Sequence, residues 1–491
     1  MAPTLALILW LVLLLALLRF DIAKEPGTSW ALWVPLIWMF FESSRLPSQW
    51  LGFTGGIAAQ VLEEGNPLDR SILFLFIVLS IFVLNLRAFN WGGFFSRNLC
   101  LVAFLLFALA SVVWSDFPLV ALKRWFRDLG NYLAVLVVLS DPHPLDAMRS
   151  VLRRLFYLLI PLSVLLVKYF PGLSRHYNSW TGAAEYVGAA TSKNMLGNIC
   201  MMSVIFFVWD TMTRWSSRKE RANRLSILVN ICLVFMTLWL LNLAQSATSQ
   251  ICLLIGCTLL MAVQSAWAKR HLMLIRLLIP ATFCVYLILA FGLDLNGKMA
   301  SVVGRDPTLT DRTLIWHVVL SEHTNPVFGT GYESFWLGSR LDRIWAQVGP
   351  VNEAHNGYLE AYLNLGGIGL ILLLAFLLAS YGTIFSTFKT SAPLARFNLV
   401  VWATVLFYNV TEAAFRSGLM WLMLLLGGLF IPARSQDHSH VLNPIAERRR
   451  QKRQAPRTDH LRSVPQGKEI LQRGKRIKSG IGPADILREN T

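Results

Sequence analysis

His355 and Asn356 stand in the stretch VNEAHNGYLEAYLNLGG (351–367), where a polar segment runs straight into an apolar one. An imidazole whose ordinary pKa lies near neutrality can take a proton from a hydroxyl, so His355 reads either as a general base or as an ordinary loop histidine. Asn356 beside it could position that ring or its substrate. Arginine's planar fork pairs with phosphate oxygens. The charge pattern traced below brings Lys123, Arg124, Arg127, Lys193, Arg305, Arg312 and Arg416 to the same side as His355. Arg305 and Arg312, seven residues apart, would share a face if their segment were helical, although Pro307 interrupts it. Such a set suits a lipid-borne diphosphate; each arginine taken singly also suits a side chain snorkelling to lipid headgroups. Glu412 is a second candidate base, or the i,i+4 ion-pair partner of Arg416. Glu353 reads as a solvated loop carboxylate. No HExxH, CxxC, P-loop or dinucleotide-binding glycine pattern is present, so no metal or nucleotide cofactor is expected. Arginines can themselves stabilise the charge of a leaving diphosphate.

Holding these residues requires an apolar scaffold. The chain has 491 residues, 55% hydrophobic and 15% charged, against about a quarter charged in soluble domains. Its apolar runs are continuous rather than short and alternating, which predicts an all-α polytopic membrane helix bundle. Twelve or thirteen spans are expected, near 3–19, 30–41, 71–86, 98–114, 129–140, 152–168, 194–211, 225–243, 247–263, 273–292, 357–379, 397–413 and 417–432. The first run lacks a basic flank and a small-residue cleavage site, and reads as a retained span rather than a signal peptide. Pro161 and Pro280 are expected to kink their helices, and Gly366, Gly367 and Gly369 to permit close helix packing.

Orientation follows lysine and arginine. TRWSSRKERANR (213–224) belongs in the cytoplasm, which puts 169–192, 294–356 and 414–416 outside and the C-terminus inside. The segment SDFPLVALKRWFRD (115–128), read as a turn, then falls outside despite its three cations. Either the span count is off by one there, or the cations hold an anion. Residues 294–356 are long for a connection. They carry a helical pattern at 311–323 and a glycine-rich turn, NPVFGTGYESF, at 325–335, so an ordered lid is expected, with Trp316, Phe335 and Trp336 near the membrane interface. Two domains follow: 1–433, with the loop 294–356, and a basic, disordered cytoplasmic tail at 434–491. The tail holds fourteen Lys/Arg against six Asp/Glu, a net charge of +8, and is expected to touch anionic lipid rather than nucleic acid. The six cysteines lie in or beside apolar runs and are expected to be free, buried thiols.

Several stretches fall into one order: LWVPLIWMFFESSRLPSQWL (32–51), ASVVWSDFPLVALKRWFRDLGNYL (110–133), TSKNMLGNICMM (191–202), LLNLAQSATS (240–249), GRDPTLTDRTLIW (304–316), NPVFGTGYESF (325–335), HNGYLEAYLNLGGIGLILL (355–373) and YNVTEAAFRSGLMWL (408–422). In this order they resemble the O-antigen ligase and polymerase family of bacterial envelope proteins, most closely its exopolysaccharide-polymerase-like branch. The resemblance covers most of residues 30–432 and leaves out the tail. It implies a metal- and nucleotide-independent glycosyltransferase of the bacterial inner membrane. Such an enzyme takes a glycan from an undecaprenyl-diphosphate carrier at the periplasmic face. The acceptor is a second lipid-linked repeat in a polymerase, or lipid A core in a ligase. It further implies that His355, with one or both of Arg305 and Arg312, is functional, and that Arg124, with Lys123 or Arg127, adds anion contacts; the family's second glycine–arginine pair is here TDRT, with Arg312 kept and the glycine lost. A chain-length regulator or export proteins are further partner classes. A transporter or flippase of lipid-linked glycan is the competing class; no internal repeat favours it, and the charges cluster on one face.

Overall fold

The computed structural model describes residues 2–24, 27–53, 65–177, 182–292 and 312–432. Arg305 and the basic tail lie outside the described residues. The fold is an all-α bundle. Its main helices are α1 (Pro3–Lys24), α2 (Trp33–Glu42), α3 (Pro67–Leu86), α4 (Trp91–Arg97), α5 (Leu99–Ala110), α6 (Pro118–Leu139), α7 (Pro144–Tyr169), α8 (Lys193–Arg214), α9 (Arg221–Ala244), α10 (Ala247–Gln264) and α11 (Leu272–Leu287). After the long connection come α12 (Arg312–Ser321), α13 (Gly338–Val348), α14 (Gly357–Thr387), α15 (Ala392–Tyr408) and α16 (Gly418–Gly428). A single antiparallel hairpin, Arg175–Tyr177 with Ala184–Tyr186, stands beside them among the described residues.

Each expected apolar run contains a helix. Eight helices of the described residues are long and apolar enough to cross a membrane, or nine if α4 and α5, bent by 93° at Asn98, count as one span. The remaining expected spans are three shorter apolar helices (Trp30–Glu42, α15 and α16) and α6. The segment expected as a basic turn is not one. Pro118 supplies the fixed φ of a first helical residue, and α6 begins there, so Lys123, Arg124 and Arg127 lie on helix. The other half of α6, Gly130 to Val138, is buried. Gly130 lets the Trp38 ring lie against the helix, where an added Cβ would come within 2.1 Å of it, and the Trp38 indole donates to Asn131 Oδ1 at 2.8 Å. Pro161 and Pro280 lie inside continuous helices. Helices α7, α8, α15 and α16 supply most of the core; α1 and α11 sit at the margin and present residues such as Ile8, Val12 and Leu277 outward. All six cysteines are free, but Cys232 and Cys284 are exposed rather than buried.

Two features tie the connection between α11 and α14 to the bundle. The first is a second, smaller core of Ile315, Val318, Val319, Phe335, Trp336, Leu341 and Ile344, which packs on Leu363 and its neighbours in α14. The second lies in α14 itself. Gly366 was expected to serve close packing; instead it adopts φ +64° and ψ −167° and breaks the helix. The break frees backbone groups that must find partners. The carbonyls of Leu363 and Asn364 accept from Thr330 and Gly331 (3.2 and 2.9 Å), while Gly367 and Ile368 donate to Pro326 and Val327 (2.8 and 3.2 Å). A Cβ on Gly366 would sit 2.2 Å from the Val327 carbonyl oxygen. The turn 325–331 is thereby plugged into the broken helix.

Candidate functional site

His355 ends the connection just ahead of α14. Asn356 caps that helix: its Oδ1 accepts from the N–H groups of Tyr358 and Leu359, both at 3.0 Å. The next N–H, of Gly357, donates to the carbonyls of Asn409 and Glu412 (2.9 and 3.0 Å), fixing the start of α14 against the turn that follows α15. His355 itself has φ +48°, the left-handed region that side-chain-bearing residues seldom occupy and that persists only where surrounding contacts over-determine it.

The His355 ring lies between two carboxylates. Its Nδ1 is 2.9 Å from Glu353 Oε1 and 3.3 Å from Glu412 Oε2. Glu412 is buried; its Oε1 accepts from Asn194 Nδ2 at 2.9 Å and pairs with the Arg312 guanidinium. Four separate segments thus meet here: α8, the start of α12, the residues before α14, and the turn 409–417. The charges alternate along the set: Arg312, Glu412, His355, Glu353. Burial opposes an imidazolium at His355, but the hydrogen bonds and negative charge of Glu353 and Glu412 outweigh it and carry the pKa up to about 10. The expectation of a ring poised near neutrality is therefore corrected: His355 is held protonated at neutral pH. Its Nε2 has no hydrogen-bond partner among the described residues, and the ring is 26% exposed. Glu353, expected as a solvated carboxylate, is instead this ring's nearest partner.

Glu353, His355 and Glu412 also bring three ligand atoms within 4.8 Å of one another, a grouping that could hold a metal ion and that no sequence spacing announced. A metal there would have to displace the proton on Nδ1 and sit beside the Arg312 charge already paired with Glu412. The donor set fits a proton better than a divalent cation.

The other expected cations divide. Arg127 binds Asp128 through Nε and Nη2 (2.8 and 2.7 Å to Oδ1), and the Tyr332 hydroxyl donates to Asp128 Oδ2 at 2.9 Å. Arg416 pairs with Glu333 and lies 3.7 Å from Asp128 Oδ2, while Arg124 donates to the Glu333 carbonyl. The expected Glu412–Arg416 pair does not form, because α15 ends at Tyr408 and the turn sends Glu412 to His355 and Arg416 to Asp128. Lys193 pairs with Glu185 of the hairpin at 2.7 Å; only its neighbour Asn194 reaches Glu412. His355, Glu412 and Arg312, each singled out from the sequence, are thus brought together. The sequence reading did not single out Asp128, Glu333 or Tyr332, which join Arg127 and Arg416 through contacts between segments far apart in the chain.

A family profile described as O-antigen ligase matches residues 231–374, which include Arg312, Glu353 and His355. The exopolysaccharide production protein ExoQ of Rhizobium meliloti (strain 1021) is 26% identical over 301 residues. That alignment covers 59% of this chain and 66% of the relative, just under two thirds of its length. In these matches, as in its ordered stretches and its apolar all-α bundle, the chain is similar to O-antigen ligase and ExoQ-like proteins.

Proposed function

We propose that the protein polymerises lipid-linked oligosaccharide repeats for an exopolysaccharide, at the periplasmic face of a bacterial inner membrane. The donor is an undecaprenyl-diphosphate glycan and the acceptor is a sugar hydroxyl of a second repeat. The observation that carries this reading is His355 itself: a strained residue whose protonated ring lies between two carboxylates, one of them paired with Arg312. The relative's role in exopolysaccharide production favours polymerisation over transfer to lipid A core.

The donor diphosphate takes Arg312 from Glu412, since a diphosphate offers the guanidinium more charge than one carboxylate. Arg312 and the His355 imidazolium, through Nε2, then stabilise the negative charge that grows on the departing diphosphate. The sugar C1–O bond to diphosphate breaks and its electron pair leaves with the phosphate. The acceptor oxygen bonds to C1, and its proton passes to Glu412, freed of Arg312. Asn356 positions His355 through the helix cap. Arg124, with Arg305, adds positive charge toward the lipid carrier, and Arg127 and Arg416 join them where the diphosphate draws them from Asp128 and Glu333. The chain's own residues supply each part of this chemistry, and no cofactor is invoked.

The test supplies purified protein in detergent with an undecaprenyl-diphosphate repeat. Longer glycans on the carrier are expected, with loss of about 100-fold or more in Arg312→Ala and His355→Ala. Glycan moved onto lipid A core would make the protein a ligase. Carrier moved across vesicle membranes with no new glycosidic bond would overturn the enzyme reading.

A further inference from the structure

A left-handed backbone at a side-chain-bearing residue is strained and must be held from both sides. The cap at Asn356 and the Gly357 N–H hold His355 from behind. The residue ahead of it, Ala354, is fully buried, and both its peptide groups are captured. Its N–H donates to the Glu360 carboxylate, and its carbonyl accepts from the Trp316 indole N–H at 2.7 Å. Glu360 does more than meet one donor. It also accepts from the Trp336 indole (3.0 and 3.1 Å) and from Asn364 Nδ2 (3.3 Å), so one carboxylate joins the small core, the peptide ahead of His355 and the helix turn before the Gly366 break. Trp316 lies four residues after Arg312 on α12, one turn further along the same side. The helix that delivers the arginine to Glu412 therefore also delivers the indole to Ala354.

We infer that Glu360 and Trp316 are positioning residues: together they clamp Ala354 and thereby fix the backbone and ring of His355 between its two carboxylates. The clamp deepens the proposed transfer and rests on it only for the activity readout. Neither residue reaches the reacting atoms. Glu360 faces indole and amide donors, and the Trp316 N–H is turned to a backbone carbonyl.

The test uses the full-length protein in detergent with two variants, Glu360→Gln and Trp316→Phe. The second keeps the aromatic packing and removes only the indole N–H, so it serves where the first is poorly folded. Carbethoxylation of His355 by diethyl pyrocarbonate is followed by peptide mass spectrometry, with the exposed His317 and His323 as internal references. This reagent needs a neutral imidazole. A released ring loses its carboxylates, its pKa falls, and its modification speeds up at pH 7 while the references do not change. In the glycan assay both variants are expected to lose about tenfold in kcat with little change in KM, the mark of lost orientation rather than lost binding. His355 reactivity unchanged in well-folded Trp316→Phe would overturn the clamp. Raised reactivity in a protein that transfers no glycan even as wild type would keep the clamp and remove the proposed function.

Discussion

The bundle buries charge at both ends, and the two clusters differ. Away from the long connection, Asp21 of α1 pairs with Arg153 and with Arg154 (Nε to Oδ2, 2.6 Å) of α7 and accepts from Ser150 Oγ at 2.6 Å. Beside it, Asp210 of α8 accepts from Arg214 Nε (2.9 Å) and Asn230 Nδ2 (3.0 Å). Asp210 lies sixteen residues beyond Asn194 on α8, about 24 Å along the helix axis. Asp21, Arg153, Arg154 and Asp210 are all but inaccessible, and each sits on regular helix. The cluster at His355 has one deeply buried carboxylate, but its ring and Glu353 are partly exposed, and its backbone is strained. Buried ion pairs alone do not mark a working site. Access and a backbone bent to present a side chain set the His355 end apart among the described residues, and they support the site proposed there.

The largest effect expected from breaking this contrast is on stability. Asp21→Asn leaves two buried arginines short of charge, and should lower unfolding stability by about 3–5 kcal/mol, read as a fall in the thermal midpoint of the detergent-solubilised protein. Glycan transfer per folded molecule should stay near that of the wild type. Glu412→Gln should do the reverse. Transfer falls about 100-fold, with a smaller fall in the midpoint than for Asp21→Asn, because the amide keeps one acceptor oxygen and the cations it leaves, Arg312 and His355, reach water where Arg153 and Arg154 do not. If Asp21→Asn instead abolished turnover in fully folded protein, the inner cluster would belong to the mechanism and the contrast would fail.

The most gradual effect is on pH dependence, because it is spread over the whole range between the two pKa values of one group. The folded pKa of His355 stands at about 10, above the ordinary value of 6.5. The folded state therefore binds a proton that the unfolded chain releases. The stabilisation it gives is complete below about pH 6.5 and is lost as pH rises through about 10. A steady decline in thermal midpoint between pH 7 and 10, absent from His355→Gln, is expected. Transfer should hold level to alkaline pH and then fall near pH 10. A rate that instead climbs with pH around 6.5 would return His355 to the role of neutral base.

Much of the scaffold was legible in the sequence, because a membrane span must be apolar throughout and its ends carry proline, asparagine or serine. Pro118, Asn66 and Ser192 each open a helix in that way. Polarity misled at α6, where charged residues that serve a neighbouring cluster looked like a turn. Three glycines in an apolar run, Gly366, Gly367 and Gly369, looked like packing, since nothing local reveals that Pro326 and Val327 will supply partners for a helix opened at the first of them. At the site, His355 and Arg312 were marked by type and setting. Glu353 was not, because its importance lies in a ring turned by a left-handed φ that sequence does not announce.

The opened helix has a mechanical consequence. His355 is carried on a stub of nine residues, Gly357 to Leu365, that is joined through Gly366 to the long rod below. The turn 325–331 splints this joint: it donates to the Leu363 and Asn364 carbonyls of the stub and accepts from the Gly367 and Ile368 N–H groups at the head of the rod. A tilt of the rod to match a thicker or thinner bilayer is therefore passed on to the stub and to His355 rather than absorbed at the glycine.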